Sequence, residues 1–222
     1  MSRALWTHLF KDLRIEWRSK EAINSMLFFA LLVVVLFSLA FDPRGAVARE
    51  IAGGVLTVAL LFASVSALNQ AWAREIRHQV LDAQRMAPSS GSDLLLAKIL
   101  ANFLFVSVVE IVLAPVFMVM YNLRIVGNGW LLLLALPLGT WALVANGTFF
   151  AALSIRSRNR ELLLPLILFP IFMPALMGMV QSTRSILTGE SDPSLWLKLL
   201  LGYDIIFTTV SLLLFEVVLH AE

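Results

Sequence analysis

The chain has 222 residues, of which 59% are hydrophobic and 14% charged, and its mean hydropathy is +0.86. A soluble core cannot bury so many apolar side chains, so the composition excludes an ordinary soluble domain and favours a membrane protein. There is no cysteine, which excludes disulfides, iron–sulfur clusters and thiolate metal sites. The formal net charge of +2 gives no reason to expect a nucleic-acid partner.

Residues 1–21 have the pattern of an amphipathic helix lying on the membrane. Apolar residues recur at spacings of three and four with basic residues between them: Trp6, Leu9, Phe10, Leu13 and Trp17. A cleaved signal peptide is the alternative, because Ser38-Leu39-Ala40 resembles a cleavage site after an apolar run. The charged segment before that run is too long for a signal peptide, so the interfacial helix is the favoured interpretation.

Six apolar segments follow, each about long enough to cross a hydrocarbon layer of ~30 Å as a helix. We predict spans at 22–41, 51–73, 94–121, 129–153, 162–181 and 195–219. The fifth contains Pro165, Pro170 and Pro174, so we expect that helix to be kinked or partly broken. The fold class is therefore an all-α membrane protein with six transmembrane helices in a single domain, residues 1–222.

The distribution of basic residues predicts the orientation. They are concentrated before the first span and in the loops after the second and fourth spans: Arg3, Lys11, Arg14, Arg18, Lys20, Arg74, Arg77, Arg85, Arg156, Arg158 and Arg160. The opposite loops offer four: Arg44, Arg49, Arg124 and Arg184. The positive-inside rule then places both termini in the cytoplasm.

The predicted cytoplasmic segment 74–93 is the first candidate site. Its first dozen residues put Ile76, Val80 and Leu81 at helical spacing, and proline and Ser-Ser-Gly follow. Such a helix would dock on a soluble partner through its polar residues, which are Arg74, Glu75, Arg77, His78, Asp82 and Arg85. The alternative is a solvated connector.

No motif for catalysis or for a metal is present. The chain lacks the Gly-x-x-x-x-Gly-Lys-Ser/Thr phosphate loop, so any ATP that drives it is bound by another polypeptide. It also lacks His-Glu-x-x-His and Gly-x-Ser-x-Gly, and His8, His78 and His220 are spread over separate helix ends. We therefore expect a non-catalytic subunit without a metal site.

Polar residues inside the predicted spans are the second candidate site, because a mid-membrane carboxylate costs roughly 2.5–3.5 kcal/mol to insert. Glu110, Tyr203 and Asp204 are the candidates. For Glu110 we expect protonation or a hydrogen bond to an amide such as that of Asn102 or Asn146. Helix packing is one role, and lining a substrate path or gate is the other.

Five segments in order resemble the haem exporter protein B (CcmB) family of cytochrome c maturation. They are KDLRIEWRSKEAINSMLFFALLV, GGVLTVALLFASVSALNQAW, QRMAPSSGSDLLLAKIL, LLLPLILFPIFMPALMG and WLKLLLGYDIIFTTVSLLLFEVVL. The resemblance implies an ABC-2 type permease subunit in a bacterial inner membrane. It also implies that residues 74–86 face the ATPase, although family members are more acidic there than Ile76-Arg77-His78-Gln79.

The resemblance further implies the partners: a CcmA-like ATPase that binds ATP, CcmC-like and CcmD-like membrane proteins and, indirectly, the periplasmic haem chaperone CcmE. Two copies of the chain, or a pseudo-symmetric membrane pair, are expected. Haem is then a possible substrate of the complex, with no cofactor bound by this chain. Two alternatives stay open: a permease exporting a lipid, drug or polysaccharide, and a non-transporting scaffold for haem-handling proteins.

Overall fold

The computed structural model describes residues 3–41, 46–72, 90–123, 127–154 and 160–220, with the side chains of 4–41, 50–72, 90–123, 127–154 and 169–216. These residues form seven α-helices, one 3₁₀ turn at Gly129–Leu131 and no strand. The helices are α1 (Arg3–Ser19), α2 (Glu21–Ala40), α3 (Ala46–Ala71), α4 (Gly91–Met120), α5 (Leu132–Leu153), α6 (Arg160–Thr188) and α7 (Ser194–His220).

The distribution of polar and apolar side chains is that of a protein surrounded by lipid. Large apolar residues such as Leu39 and Val119 are 80% and 81% exposed, whereas Thr140 and Asn146 are almost fully buried. A soluble protein shows the reverse preference. Within the described residues, five helical segments are long and apolar enough to cross a membrane: Glu21–Ala40, Glu50–Ala71, Gly91–Met120, Gly129–Leu153 and Ser194–Glu216. The chain is therefore a multi-pass membrane protein.

The predicted fifth span, 162–181, lies within α6, which extends from Arg160 to Thr188. This helix is not one of the five segments, so a count of six spans stays a prediction. The helix is continuous through Pro165, Pro170 and Pro174, so the structure does not show a partly broken helix, and a kink stays a prediction. The side chains of Pro170 and Pro174 are exposed one turn apart, on the outside of the bundle.

The N-terminal helix α1 forms as predicted, but its apolar residues divide between two surroundings. Leu5 and Leu9 are buried against Ala97 and Ala101 of α4. Trp6, Phe10 and Trp17 are 45%, 61% and 78% exposed. The sequence analysis grouped Leu9 with the aromatic residues in one amphipathic pattern, but the structure separates Leu9 from the exposed aromatic side chains. Helix α1 is thus packed against the bundle, while its position at the membrane interface stays a prediction.

Helix ends are fixed by side chains and by glycine. Ser90 accepts a hydrogen bond from the backbone N–H of Asp93 and caps the start of α4. Gly189 has φ 71°, a conformation that favours glycine, and its N–H donates to the carbonyl of Ser185 at the end of α6. Asp192 then accepts hydrogen bonds from the Ser194 hydroxyl and N–H, which lower the pKa of that carboxyl. The short connection between α6 and α7 is therefore well defined.

Small residues allow the central helix α3 to approach its neighbours closely. Helix α3 contacts α2, α4, α5 and α6. A Cβ atom added to Gly53 would lie 2.9 Å from the carbonyl oxygen of Val180 and 3.0 Å from the backbone nitrogen of Arg184. Because backbone atoms cannot move away cheaply, glycine is required at this α3–α6 crossing, as is common between membrane helices.

Candidate functional site

The six predicted docking residues, Arg74 to Arg85, lie outside the residues that the structure describes. The residues on either side of that segment are described. Trp72 directly follows α3 and is buried, and Ser90 caps α4. Both ends of the predicted docking segment are therefore attached to defined helices.

A buried lysine holds three helices together at the end of α3. The Lys98 ammonium donates to Asp12 Oδ2 of α1 at 3.1 Å and to the carbonyl oxygen of Ala71 at 3.0 Å. It also lies 4.9 Å from the centre of the Trp72 ring, a cation–π contact. Ala71 is the last residue of α3, where the helix dipole is negative and carbonyl groups lack partners within the helix. Lys98 thus has two roles: it neutralises the Asp12 carboxylate and it caps the end of α3.

The same contacts extend to α5. The indole N–H of Trp72 donates to the carbonyl oxygen of Thr148 at 3.1 Å, and Asn102 Nδ2 donates to the Thr148 hydroxyl at 3.1 Å. All three of these residues are buried. We refer to Asp12, Trp72, Lys98, Asn102 and Thr148 as the Lys98 cluster. It joins α1, the end of α3, α4 and α5 in one set of polar contacts.

Next to this cluster, Glu16 joins α1 to α2. Its Oε1 atom accepts hydrogen bonds from the N–H groups of Ala22 (2.8 Å) and Ile23 (3.1 Å) in the first turn of α2. A carboxylate at that position satisfies free donors and complements the helix dipole. A cavity of about 50 Å³, lined by both polar and apolar residues, borders Glu16, Asp12 and Lys98 and has room for water.

Farther along α4, Glu110 is buried with 6% exposure. Its Oε2 atom accepts a hydrogen bond from the hydroxyl of Thr140 on α5 at 3.2 Å. The expected amide partner is wrong for both candidates, because Asn102 donates to Thr148 and Asn146 to Ala142 and Tyr203. Within the described part of the chain, Glu110 Oε1 has no hydrogen-bond partner.

Tyr203 connects α5, α6 and α7. Its hydroxyl donates to the carbonyl oxygen of Ile171 at 2.8 Å and accepts from Asn146 Nδ2 at 3.2 Å. Its ring stacks on Phe207 at 4.3 Å. The residue that the sequence analysis singled out as a gating candidate thus lies at a junction of three helices.

Asp204 is also buried, with 6% exposure, and neither of its carboxyl oxygens has a hydrogen-bond partner among the residues the structure describes. Lys198, the basic residue nearest to Asp204 in sequence, is exposed, and its positive charge interacts with Asp192 instead. Glu110 and Asp204 are therefore buried carboxyl groups with incomplete hydrogen bonding, and we call them the two bundle carboxyls.

Sequence reasoning missed Lys98, Asp12 and Glu16. Lys98 had a usable signal, since a lysine inside a predicted span is costly unless it is paired. Its partner Asp12 had none, because 86 residues separate the two in sequence. In the described ranges, no three His, Asp or Glu side chains are grouped so that they could hold a metal ion.

Comparison with known proteins gives consistent matches over most of the chain. The family model described as CcmB protein matches residues 3–220. A protein named heme exporter protein B from Rhodobacter capsulatus is 33% identical over 168 residues, which cover 76% of this chain and 77% of that protein. The protein of the same name from Pseudomonas aeruginosa is 30% identical over 213 residues, covering 94% of each chain. The Escherichia coli K12 protein of that name is 28% identical over 99 residues, covering 45% of each.

Proposed function

The chain belongs to the CcmB family, and from this premise we propose that it is the membrane permease subunit of an ABC transporter complex that exports or handles haem in cytochrome c maturation. The family match over residues 3–220 carries the proposal. The relatives' name, heme exporter protein B, supports haem as the substrate of the complex.

In this proposal the chain is non-catalytic and a separate CcmA-like ATPase supplies the energy. The chain is an ABC-2 type permease with six spans in a bacterial inner membrane and both termini in the cytoplasm. Two copies work with CcmC-like and CcmD-like membrane proteins. ATP hydrolysis is coupled to release of the haem-loaded periplasmic chaperone CcmE.

The contacts of the Lys98 cluster support a route for that coupling. The ATPase binds the segment 74–86, and the movement of that segment reaches α3 through Trp72, two residues before it. Lys98 and Thr148 contact the end of α3, so α1, α4 and α5 move with it.

The bundle carboxyls and Tyr203 are the proposed responding elements. Glu110 contacts α5 through one hydrogen bond, and Tyr203 contacts α5 and α6 through one hydrogen bond each. A few hydrogen bonds between helices are worth about 1 kcal/mol each in a membrane, so they can be exchanged during a helix movement. Incompletely bonded carboxyls suit such an exchange better than a fully bonded cluster.

Charge reversal in the docking segment tests the proposal. We expect Glu75→Arg with Asp82→Arg to abolish maturation of c-type cytochromes, because like charges would repel the ATPase surface that these residues contact. The measurement is the amount of covalently bound haem in c-type cytochromes, together with the amount of this chain in the membrane. The amount of this chain in the membrane should stay normal.

The matched control reverses the same number of charges elsewhere. Glu50→Arg with Glu190→Arg changes two exposed glutamates on the side predicted to be outside. Cytochrome maturation should stay near the wild-type level in this variant. Normal maturation in the Glu75 and Asp82 variant would contradict the proposed coupling.

Co-purification with mass spectrometry separates the alternatives. An ATPase accompanied by CcmC-like and CcmD-like proteins is the expected result. An ATPase alone, with normal cytochromes in a deletion strain, would favour export of a lipid, drug or polysaccharide. A scaffold would keep cytochrome maturation when the partner ATPase loses ATP hydrolysis, whereas a permease would not.

A further inference from the structure

An apolar groove of about 520 Å³ lies where α1 crosses α2 and α4. Its volume is within the range of small-molecule sites, roughly 300–1,000 Å³. Phe10, Leu13 and Trp17 of α1 form one wall, and Phe105 and Val108 of α4 form the other. Trp17 and Phe10 are among the more exposed aromatic residues, so the groove is open to the outside of the bundle.

Two arginines line the same groove. Arg14 and Arg18 are one helical turn apart on α1, and both are exposed. Neither makes an ion pair with any residue that the structure describes; the acidic residues of α1 contact Lys11, Lys98 and the start of α2 instead. The arginines therefore supply uncompensated positive charge beside an apolar surface.

The apolar surface continues along α4 away from these arginines. Leu104 and Val108 line the groove and are 42% and 46% exposed. One turn farther, Ile111 and Val112 are 72% and 46% exposed. A ligand with an anionic end and a long apolar tail fits this arrangement.

We propose that this groove binds an anionic phospholipid of the leaflet on the N-terminal side, with its phosphate between Arg14 and Arg18 and one acyl chain along Leu104 and Val108. The positive-inside rule predicts that this leaflet is the cytoplasmic one. Basic side chains near a membrane surface attract anionic lipids, and arginine pairs with phosphate through two parallel hydrogen bonds. A soluble anion would leave the apolar walls uncovered, and a neutral lipid would leave two arginines without a counter-charge.

The proposal goes beyond the transport function and does not depend on it. A lipid in this groove would contact α1, α2 and α4, the helices that Asp12, Glu16 and Lys98 also join. It would therefore add to the attachment of α1 to the bundle, whatever the complex transports.

Binding of defined lipids to the purified full-length chain tests the proposal. The probes are phosphatidylglycerol and phosphatidylcholine with identical acyl chains, and native mass spectrometry measures the lipid-bound fraction. We expect preferential binding of phosphatidylglycerol, reduced about five-fold by Arg14→Gln and again by Arg18→Gln. Equal binding of both lipids to the wild type, or an unchanged preference in the double variant, would overturn the proposal.

The control is Lys20→Gln, which removes one exposed positive charge next to α1 without changing the groove lining. It should leave the preference within two-fold of wild type. A loss as large as that of Arg18→Gln would show attraction to general positive charge, and this too would overturn the proposal. Thermal unfolding of each variant verifies that the chain is folded.

A photo-crosslinking amino acid at position 108 identifies the occupant in intact membranes. Adducts with phospholipid are expected, and they should decrease in the Arg14→Gln/Arg18→Gln background. Adducts with a polypeptide in place of lipid would show that a partner helix fills the groove and would overturn the proposal.

Discussion

The Lys98 cluster and the two bundle carboxyls are both buried and polar, but they differ in how completely their polar atoms are hydrogen-bonded. The Lys98 ammonium has a carboxylate, a helix-terminal carbonyl and an aromatic ring around it. Glu110 has one hydroxyl donor, and Asp204 has no donor among the residues described. The Lys98 ammonium is thus held by three groups, whereas the two carboxyls are held by one donor or by none.

This difference follows from the energetics of burial. A buried polar or charged group avoids a cost in stability only where hydrogen-bond partners replace the water it has lost. The Lys98 cluster meets that condition and lies at the base of the predicted docking segment, where a firm connection would transmit movement. The bundle carboxyls do not meet it, so they cost stability in this conformation and are candidates for a change of partner in another.

Removing the lysine should have the largest effect on stability. Lys98→Met keeps most of the length of the side chain but leaves Asp12 with Lys11 alone and the end of α3 without its cation. Because broken charged hydrogen bonds leave partners unsatisfied, we expect a loss of about 2–3 kcal/mol in the free energy of unfolding. Thermal or denaturant unfolding in detergent measures it.

The exposed Lys198 supplies the matched control for this substitution. Lys198→Met should change the stability by less than about 0.5 kcal/mol, as is usual for surface positions. The exchange Asp12→Lys with Lys98→Asp should recover less than half of the loss, because the carbonyl oxygen of Ala71 would then face a carboxylate. A Lys98→Met variant as stable as wild type would remove the distinction between the two sites.

At the bundle carboxyls we expect the opposite sign. Glu110→Met replaces an incompletely bonded carboxyl with an apolar side chain of similar shape, and Thr140 can bond to a carbonyl of its own helix instead. We predict a gain of about 1 kcal/mol in stability, together with a decrease in cytochrome c maturation.

The variant Glu110→Gln tests whether cytochrome c maturation needs the carboxyl group itself or only a hydrogen-bond acceptor at this position. It retains an acceptor for the Thr140 hydroxyl, so stability should stay near wild type. A large loss of stability in Glu110→Met, comparable with that of Lys98→Met, would show that Glu110 is a structural element after all.

The sequence predicts some of this architecture well and some of it not at all. The apolar runs predict the long helices, and the spacing of the apolar residues from Trp6 to Trp17 predicts α1. Both predictions succeed because they depend only on local periodicity. The costs of burying Glu110 and Asp204 are likewise evident from their positions within apolar runs. The hydrogen-bond partner of Glu110 depends on how α4 is rotated and aligned against α5. The sequences of these two helices are apolar on all sides, so they do not indicate that rotation.

The same limit applies to the packing of α1. Its aromatic residues and Leu9 share a helical pattern, yet Leu9 packs on Ala97 and Ala101 because small residues of α4 allow a close approach there. The pairing of Asp12 with Lys98 is likewise a tertiary contact between distant segments. Its prediction requires the packing of α1 on α4, which no local motif specifies.

An effect of similar size to that of Glu110→Met is expected at Tyr203, next to Asp204, and it distinguishes a hydrogen-bonded junction from simple packing. Tyr203→Phe keeps the ring on Phe207 but removes the donor to Ile171 and the acceptor for Asn146, so we expect a loss of about 1 kcal/mol. Tyr121→Phe is the control, since that buried hydroxyl makes a single longer bond of 3.3 Å to the carbonyl of Val34. Unfolding of both variants in the same detergent should show the larger loss for Tyr203. Equal losses would mean that the three-helix junction adds nothing to stability beyond an ordinary tyrosine contact.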